Sequence, residues 1–359
     1  MKIPAAVEID RHFWARRRVL ITGHTGFKGA WLSLWLQALG AEPVGLSAPA
    51  PGSPSLYELS GLRASMPEHA VDVRDGDAVR AALRAARPEV VLHLAAQPMV
   101  RRSLRDPVAT YATNVLGTVN VLDAVRTVGE DVGAVVVVTS DKCYENRPGE
   151  TRAFVEGDPL GGADPYSSSK ACAELVASAY RSSFFAGEGA PRVATARAGN
   201  VIGGGDWGED RLLADAVRAV ERGTPLRVRN PDAVRPWQHV LNPLAGYLRV
   251  AEALWRDDNA ARAWNFGPRA DDVRSVGDVV RRLAELWDGA LAWELDDERN
   301  PPEAGYLALD SGAAERELGW RGAWDLERAL QSIVAWHDAR RDGEDMRSFS
   351  LREIERFAS

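Results

Sequence analysis

The sequence is poor in cysteine, in long apolar runs and in net positive charge, and each shortage excludes a class of protein. Its two cysteines, Cys143 and Cys172, show no metal-ligand spacing, so we expect a reduced, cytoplasmic protein without a bound metal. The longest undiluted apolar stretch, residues 134–138, is too short to span a bilayer, and residues 1–18 have no signal-peptide pattern. The net charge of −7 argues against broad binding to nucleic acid or to an anionic membrane.

What the sequence does contain is a regular alternation of strand and helix patterns through its first half. Strand candidates such as VVLHLA and AVVVV are continuously apolar, which is typical of strands covered on both faces. We predict strands at 18–22, 42–46, 70–73, 89–95, 134–140 and 192–196. Amphipathic helices are predicted between them, for example at 29–39, 75–86, 111–128 and 166–184. This order predicts an α/β fold with a doubly wound parallel sheet.

The alternation ends near residue 197. Beyond it glycine, tryptophan and arginine are frequent, and the pattern breaks into shorter helices and loops. We therefore predict two domains, a first one over residues 1–197 and a smaller C-terminal substrate-binding domain that takes up most of 198–359.

The first predicted strand leads into a glycine-rich loop, GHTGFKG, which is followed at once by a helix. Gly23 permits the tight turn, Gly26 lets the backbone approach a pyrophosphate, and Gly29 lets helix and strand pack closely. Unpaired N–H groups at the helix N-terminus also suit a phosphate. The loop predicts a Rossmann-type dinucleotide site whose residues are Gly23, Thr25, Gly26, Phe27, Lys28 and Gly29.

The choice between NAD and NADP is left open by the residues of the second strand. Its end, Val44-Gly45-Leu46-Ser47-Ala48, has no carboxylate to hold the ribose hydroxyls of NAD. No arginine or lysine occurs between there and Arg63 to hold the 2′-phosphate of NADP.

A second motif, YSSSK, places Tyr166 and Lys170 on one face at the start of a predicted helix. A nearby ammonium stabilises a phenolate, so we expect Lys170 to lower the pKa of Tyr166 toward a range useful for proton transfer. Ser140, at the end of an apolar strand, is placed to hydrogen-bond the same substrate hydroxyl. The three residues predict the oxidation of a sugar hydroxyl to a ketone.

These motifs resemble the extended short-chain dehydrogenase/reductase family, and within it the sugar-nucleotide dehydratases. The resemblance rests on GxxGxxG, YSSSK and TSDKCYEN, and it continues through ARAGNVIGGGDWGEDRL, VRPWQHVLNPLAGYL and WNFGP. TSDKCYEN is more similar to the dehydratases that act on CDP-glucose than to those acting on dTDP-glucose or GDP-mannose. The resemblance implies NAD as cofactor, CDP-glucose as substrate, and net loss of water with the cofactor regenerated in each cycle.

The resemblance also assigns roles to single residues. Asp141 and Lys142 stand where these dehydratases carry an acid and a base, which completes a catalytic set of Ser140, Asp141, Lys142, Tyr166 and Lys170. Further cofactor contacts are implied for Asp72, Val73, Leu94, Ala95 and Ala96, and a sheet-bracing role for Asn114. Contacts with the substrate phosphates are implied for Asn200, Arg211 and Arg235.

Two features of the assembly follow from the same resemblance, and two departures limit it. We expect residues 236–255 to return to the first domain, and a homodimer to form through helices 111–128 and 166–184. The chain has Pro302 where the family often has histidine, which bears on base selection. The stretch 150–155 differs from the aromatic-rich segment expected there and bears on the pocket wall.

Two other functions are compatible with the scaffold. A nucleotide-sugar 4-epimerase would share Ser140, Tyr166 and Lys170 but would need no proton-transfer pair at residues 141 and 142. A non-catalytic Rossmann protein that senses a dinucleotide could lose Tyr166 and Lys170, and this chain has both.

Overall fold

The strands of the protein are short, and most of their pairings are parallel. They are seen in a computed structural model that describes residues 8–49, 52, 54–296 and 305–359; Pro302 lies outside the described residues. The strands are β1 (Arg18–Thr22), β2 (Glu42–Ser47), β3 (Glu68–Ala70), β4 (Val90–His93), β5 (Ala134–Val138), β6 (Arg192–Arg197), β7 (Val201–Ile202), β8 (Leu226–Val228), β9 (Val234–Pro236), β10 (Gln238–His239), β11 (Ala263–Asn265), β12 (Val273–Ser275) and β13 (Trp293–Leu295).

Helices connect these strands and cover the central sheet. In chain order they are α1 (Arg11–Trp14), α2 (Phe27–Ala38), α3 (Leu56–Leu59), α4 (Leu62–Ser65), α5 (Gly76–Ala86), α6 (Val100–Arg105), α7 (Pro107–Tyr111), α8 (Gly117–Val128), α9 (Pro165–Ser183), α10 (Leu212–Arg222), α11 (Leu241–Arg256), α12 (Val276–Leu286), α13 (Gly312–Leu318), α14 (Leu326–Arg341) and α15 (Met346–Ala358). Among the described helices, none combines the length and the apolar character that a membrane span needs.

The central sheet has seven strands in the order β11-β6-β5-β4-β1-β2-β3, and every pairing in it is parallel. Its chain order reverses between β1 and β4, so a crevice opens at the carboxyl ends of these two strands. Successive side chains of β5 point to opposite faces of the sheet and pack in two different apolar cores. Val136 packs in the core of α2 and α11, whereas Val135 packs in the core of α5 and α8. The predicted doubly wound α/β fold is confirmed.

The third strand differs from its predicted position. The sequence predicts residues 70–73, where Val71 and Val73 alternate with polar residues, but the paired residues are Glu68–Ala70 beside Gly45–Ser47 of β2. Val71 donates its N–H to Ser47 O at 3.0 Å, after which Asp72 binds Arg74 and turns the chain. Val73 is buried because it packs beyond the strand, against Gly117 of α8.

The predicted helix 111–128 is interrupted at its start. Residues Ala112–Leu116 form a π-helical turn between α7 and α8, a feature that often marks functional sites. Inside it, Asn114 accepts a hydrogen bond from Gln97 N at 2.8 Å and donates to Ser169 Oγ at 2.8 Å. The predicted bracing residue therefore ties the chain after β4 to α9.

The second half of the chain packs against the sheet and also forms a core of its own. Helix α11 packs on β5 and β6, and β11 extends the central sheet at the β6 edge. Helices α10, α12 and α14 share a separate apolar core with β8. Three two-stranded pairs, β7 with β10, β9 with β12 and β8 with β13, complete this half. The boundary between domains at residue 197 stays a prediction.

Candidate active site

The glycine-rich loop lies against the chain that leaves β4. Gly23 has φ +75°, and a Cβ on it would stand 2.8 Å from the backbone of Ala95, so only glycine fits this turn. Thr22 Oγ1 accepts hydrogen bonds from the N–H groups of Leu94 and Ala95, both at 3.1 Å. The structure thus brings the predicted loop and the predicted segment Leu94–Ala96 together at one edge of the sheet.

Helix α2 starts inside this loop and leaves its first amides open to a ligand. Gly26 is the N-cap residue, and no side chain in the part of the chain that the structure describes hydrogen-bonds the end of the helix there. A Cβ on Gly29 would overlap the carbonyl of Gly23, which explains the close packing of helix and loop. Uncapped N–H groups at a helix N-terminus bind phosphate readily. The described residues therefore fit the pyrophosphate of a dinucleotide.

Other side chains of the loop turn toward β2 and β3. Thr25 Oγ1 is 2.9 Å from Ser47 Oγ, and His24 Nε2 is 2.9 Å from Glu68 Oε2. The His24 ring occupies the space that a side chain on Gly45 would need. Asp72, predicted to meet the adenine, is half-exposed and accepts hydrogen bonds from Arg74. Its contact with the cofactor stays a prediction.

The residues that follow β5 form a tight turn. We call Ser140–Cys143 the catalytic turn; Asp141–Cys143 is a single 3-10 turn, and Ser140 is its N-cap. The Ser140 hydroxyl donates to Asp141 Oδ1 at 2.9 Å and accepts from Lys142 N–H at 3.2 Å. Serine is favoured at an N-cap because its oxygen accepts such a hydrogen bond. The local sequence therefore orients three of the five predicted catalytic residues.

Asp141 is a buried carboxyl with only 3% of its surface exposed. Burial raises its pKa, against the opposing effects of Lys142, the Ser140 hydrogen bond, Arg235 and Lys28. Asp141 Oδ2 has no hydrogen-bond partner among the described residues. A Cβ on Gly199 would overlap this carboxylate, so glycine there gives Asp141 its room. A buried carboxyl with a raised pKa is suited to donate a proton.

Tyr166 and Lys170 lie on α9 beside the catalytic turn. Tyr166 N–H donates to Ser103 Oγ at 3.1 Å, and Lys170 Nζ donates to Val138 O at 3.2 Å. Burial raises the pKa of Tyr166 to about 12, while a hydrogen bond with Ser140 lowers it. Burial also lowers the pKa of Lys170 to about 8. The sequence-based expectation of a lowered tyrosine pKa is therefore wrong for the protein alone, because desolvation of the phenolate outweighs the Ser140 hydrogen bond and the positive charge of Arg211.

Three positive side chains meet in the cleft. Burial, together with the neighbouring positive charges of Arg211 and Lys170, lowers the pKa of Lys28 to about 7. Arg211 forms an ion pair with Asp206 at 2.8 Å. A cleft with this charge attracts phosphate-bearing ligands.

Arg235 and Asn200, the other predicted substrate contacts, lie at the C-terminal side of the cleft. Arg235 is buried in β9, donates to Val234 O at 3.0 Å and lowers the pKa of Asp141 through its charge. Asn200 has φ +32°, and its carbonyl accepts from Gln238 N at 3.2 Å. The positive charge of Arg235 thus lies near enough to the catalytic turn to stabilise the Asp141 carboxylate.

Sequence reasoning missed two residues of the site. Tyr247 of α11 is fully buried, its hydroxyl lies 3.5 Å from Lys28 Nζ, and the nearby Tyr166 and Asp141 contribute to its raised pKa. Gly199 borders Asp141. Both residues lie in motifs quoted above, Gly199 in ARAGNVIGGGDWGEDRL and Tyr247 in VRPWQHVLNPLAGYL. Gly199 could have been found because it directly precedes Asn200, whereas nothing in the motif distinguishes Tyr247 from a core tyrosine.

Fold and site together define a Rossmann-fold enzyme of the extended short-chain dehydrogenase/reductase type. Within that class the chain belongs to the GDP-mannose 4,6 dehydratase family, whose model matches residues 20–333. The predicted family resemblance is confirmed.

Comparison with individual proteins agrees with this assignment. The chain is 48% identical to a CDP-glucose 4,6-dehydratase of Salmonella typhimurium, over 98% of this chain and 99% of that protein. Among solved structures, a UDP-glucose 4-epimerase of Thermus thermophilus in complex with NAD is 27% identical, with a TM-score of 0.77 over 89% of this chain and 99% of that one. A dTDP-glucose 4,6-dehydratase of Streptomyces venezuelae with NAD bound is 25% identical, with a TM-score of 0.77 over 90% and 98%.

Proposed function

We propose that the protein is a hydro-lyase that converts CDP-glucose to CDP-4-keto-6-deoxyglucose by intramolecular oxidation, dehydration and reduction, with NAD as its cofactor. The observation that carries the proposal is the buried carboxyl of Asp141 directly beside Ser140 and Tyr166. The near-complete match with the Salmonella CDP-glucose 4,6-dehydratase supports the choice of substrate.

The cofactor fits the loop that follows β1. Gly23, Gly26 and Gly29 leave no side chain between the backbone and a pyrophosphate, and α2 offers uncapped amides. Thr25, Phe27, Lys28 and the segment Leu94–Ala96 would border the rest of the cofactor. NAD, when bound there, would supply the hydride acceptor for C4 of the sugar and the hydride donor for C6.

The protein's own residues supply the proton transfers. Tyr166 takes the proton of the C4 hydroxyl as a phenolate, with Ser140 hydrogen-bonded to the same oxygen; the positive charge of Lys170 would stabilise that phenolate once substrate and cofactor are bound. The C4 ketone acidifies the C5 proton, which a base, Lys142, removes and then returns to C5 when C6 is reduced. Asp141 protonates the departing C6 hydroxyl, a task for which its raised pKa suits it.

The substrate diphosphate is assigned to Arg211, Arg235 and Asn200. A guanidinium can donate two parallel hydrogen bonds to phosphate oxygens. Arg235 lies within electrostatic reach of Asp141, and Arg211 within reach of Tyr166, so a diphosphate held there would bring the sugar toward the catalytic residues.

Turnover of nucleotide sugars tests the proposal. Purified protein with NAD and CDP-glucose should yield a product that has lost one water, seen by mass spectrometry, with much higher kcat/KM than with dTDP-glucose, UDP-glucose or GDP-mannose. Formation of an isomer without loss of water would indicate a 4-epimerase. Binding of NAD without turnover of any of these sugars would indicate a dinucleotide sensor, and preference for another base would reject CDP-glucose.

We also propose that the protein forms a homodimer through α8, α9 and the segment before α8. Large apolar side chains are exposed there, including Val108 at 78% and Leu175 at 59%, and exposed apolar patches often mark protein interfaces. Light scattering should give twice the chain mass of 39.1 kDa. Leu175→Glu should shift the mass toward that of one chain, and a monomeric wild type would contradict the proposal.

The proposed location is the cytoplasm. Cys143 and Cys172 are both free thiols in the structure, which agrees with a reducing compartment.

A further inference from the structure

An ion pair that the reaction does not use lies behind the catalytic turn. Arg197 Nη2 is 2.7 Å from Glu174 Oε2, and the two side chains are only 4% and 3% exposed. Glu174 is on α9, four residues after Lys170, and Arg197 ends β6. Burying two charges is costly, and a half-broken pair is strongly destabilising. Both side chains are therefore held in one arrangement.

The pair reaches both ends of the catalytic turn. Thr139, the residue before the turn, donates its hydroxyl to Glu174 Oε1. Tyr144, the residue after the turn, accepts a hydrogen bond from Arg197 Nη1 at 2.7 Å and donates to Asn265 Oδ1 at 2.7 Å. The residues that flank Ser140–Cys143 are thus fixed to one buried ion pair.

The same pair links the turn to the helix that carries the tyrosine. Tyr166, Lys170 and Glu174 follow each other at intervals of four residues on α9, so they share one face. A shift of Glu174 would move Thr139 relative to Tyr166. Tyr166, proposed to act in the oxidation, and the catalytic turn, proposed to act in the loss of water, are thereby both connected to the same buried ion pair.

We propose that Glu174 and Arg197 are positioning residues, which hold Ser140, Asp141 and Lys142 in register with Tyr166 by fixing Thr139 and Tyr144. The consequence for turnover rests on the proposed dehydratase function, whereas the consequence for the order of the turn does not. Displacements near 1 Å from productive geometry can cost about 100-fold in rate.

Three conservative substitutions separate positioning from general stability. Thr139→Val removes the hydrogen bond at the start of the turn, and Tyr144→Phe removes the one at its end. Tyr144→Phe keeps the stacking on Phe154, whose ring centroid is 4.9 Å away. Thr195→Val is the matched control, because the Thr195 hydroxyl also donates to Glu174, at 2.7 Å, but from β6 and not from the turn.

We expect Thr139→Val and Tyr144→Phe to lower kcat by about 10- to 100-fold with little change in KM or in the Kd of NAD. Thr195→Val should keep kcat within about threefold of wild type, a change under 1 kcal/mol in activation free energy. Equal losses in Thr139→Val and Thr195→Val, or no loss in either turn variant, would overturn the proposal. If Thr139→Val does not fold, the comparison of kcat between Tyr144→Phe and Thr195→Val decides whether the proposal holds.

Hydrogen exchange supplies a measurement that needs no substrate. The N–H groups of Lys142 and Cys143 both bond to Ser140, so their exchange reports on the order of the turn. Exchange there should be at least about tenfold faster in Thr139→Val and Tyr144→Phe than in wild type and Thr195→Val. Unchanged exchange would overturn the positioning role, whereas a wild type inactive on CDP-glucose would reject only the dehydratase function.

Discussion

The phosphate loop and the catalytic turn are both short segments after a parallel strand, but they are held in place differently. The loop, residues 23–29, depends on its own glycines and on backbone contact with Ala95. The turn depends on side chains from α9 and β6, which reach its ends through Thr139 and Tyr144. The phosphate loop therefore depends on contiguous glycines and on backbone packing, whereas the catalytic turn depends on side chains from elements distant in the chain.

The largest expected effect falls on the turn. Asp141→Asn keeps the shape of the side chain beside Gly199 but removes the proton that, in the proposed mechanism, the departing C6 hydroxyl receives. We expect overall turnover to fall by about 10²–10⁴-fold, while oxidation at C4 still occurs. In a single turnover, the absorbance of the reduced cofactor should persist, with little dehydrated sugar formed.

Tyr166→Phe is the matched control, because it should prevent the oxidation at C4 itself. It should therefore give neither reduced cofactor nor dehydrated sugar. Release of dehydrated product by Asp141→Asn at the wild-type rate would contradict the role of Asp141 as the acid. Lys142 or a water molecule would then have that role.

A smaller effect is expected from the loop. An added Cβ at Gly26 would meet, within 4 Å among the described residues, only Gly23 O at 3.3 Å, so Gly26→Val should fold. Its side chain would lie between the backbone and the pyrophosphate, and we expect the Kd of NAD, measured by calorimetry, to rise at least about tenfold, or 1.4 kcal/mol.

Gly29→Ala is the comparison for this variant, because its Cβ would overlap Gly23 O and the expected defect is in folding. Unchanged NAD affinity in folded Gly26→Val would contradict the assignment of the loop. It would also weaken the contrast between the two segments.

The parts of the site that could be predicted from the sequence are those formed by residues close together in the chain. The geometry of two motifs follows from residue spacing alone. They are GxxGxxG between a strand and a helix, and the four-residue spacing of Tyr166 and Lys170 on one helix face. Both could therefore be found without a structure. The third strand was misplaced because Val71 and Val73 alternate like a strand, while pairing with β2 selects Glu68–Ala70. Alternation alone does not determine which residues pair.

Residues brought in by tertiary packing were harder to predict. Tyr247 enters the site from α11, far along the chain, and no local pattern distinguishes it from a core tyrosine. The fully buried Glu174–Arg197 pair could have been suspected, since Glu174 extends the four-residue spacing of Tyr166 and Lys170. Its partner on β6 could not, because that contact exists only once the sheet has formed.

The meeting of Lys28 and Lys170 in the cleft has a practical consequence for spectroscopy. Apart from Lys2, the lysines of the chain are Lys28, Lys142 and Lys170, and all three belong to the loop, the turn or the helix of the site. Reductive methylation with carbon-13 would therefore place three of the five amine probes at the site, with Lys2 and the N-terminal amine as references. The chemical shifts of these methyl groups would follow protonation as each ligand binds, in a protein whose remaining positive side chains are arginines.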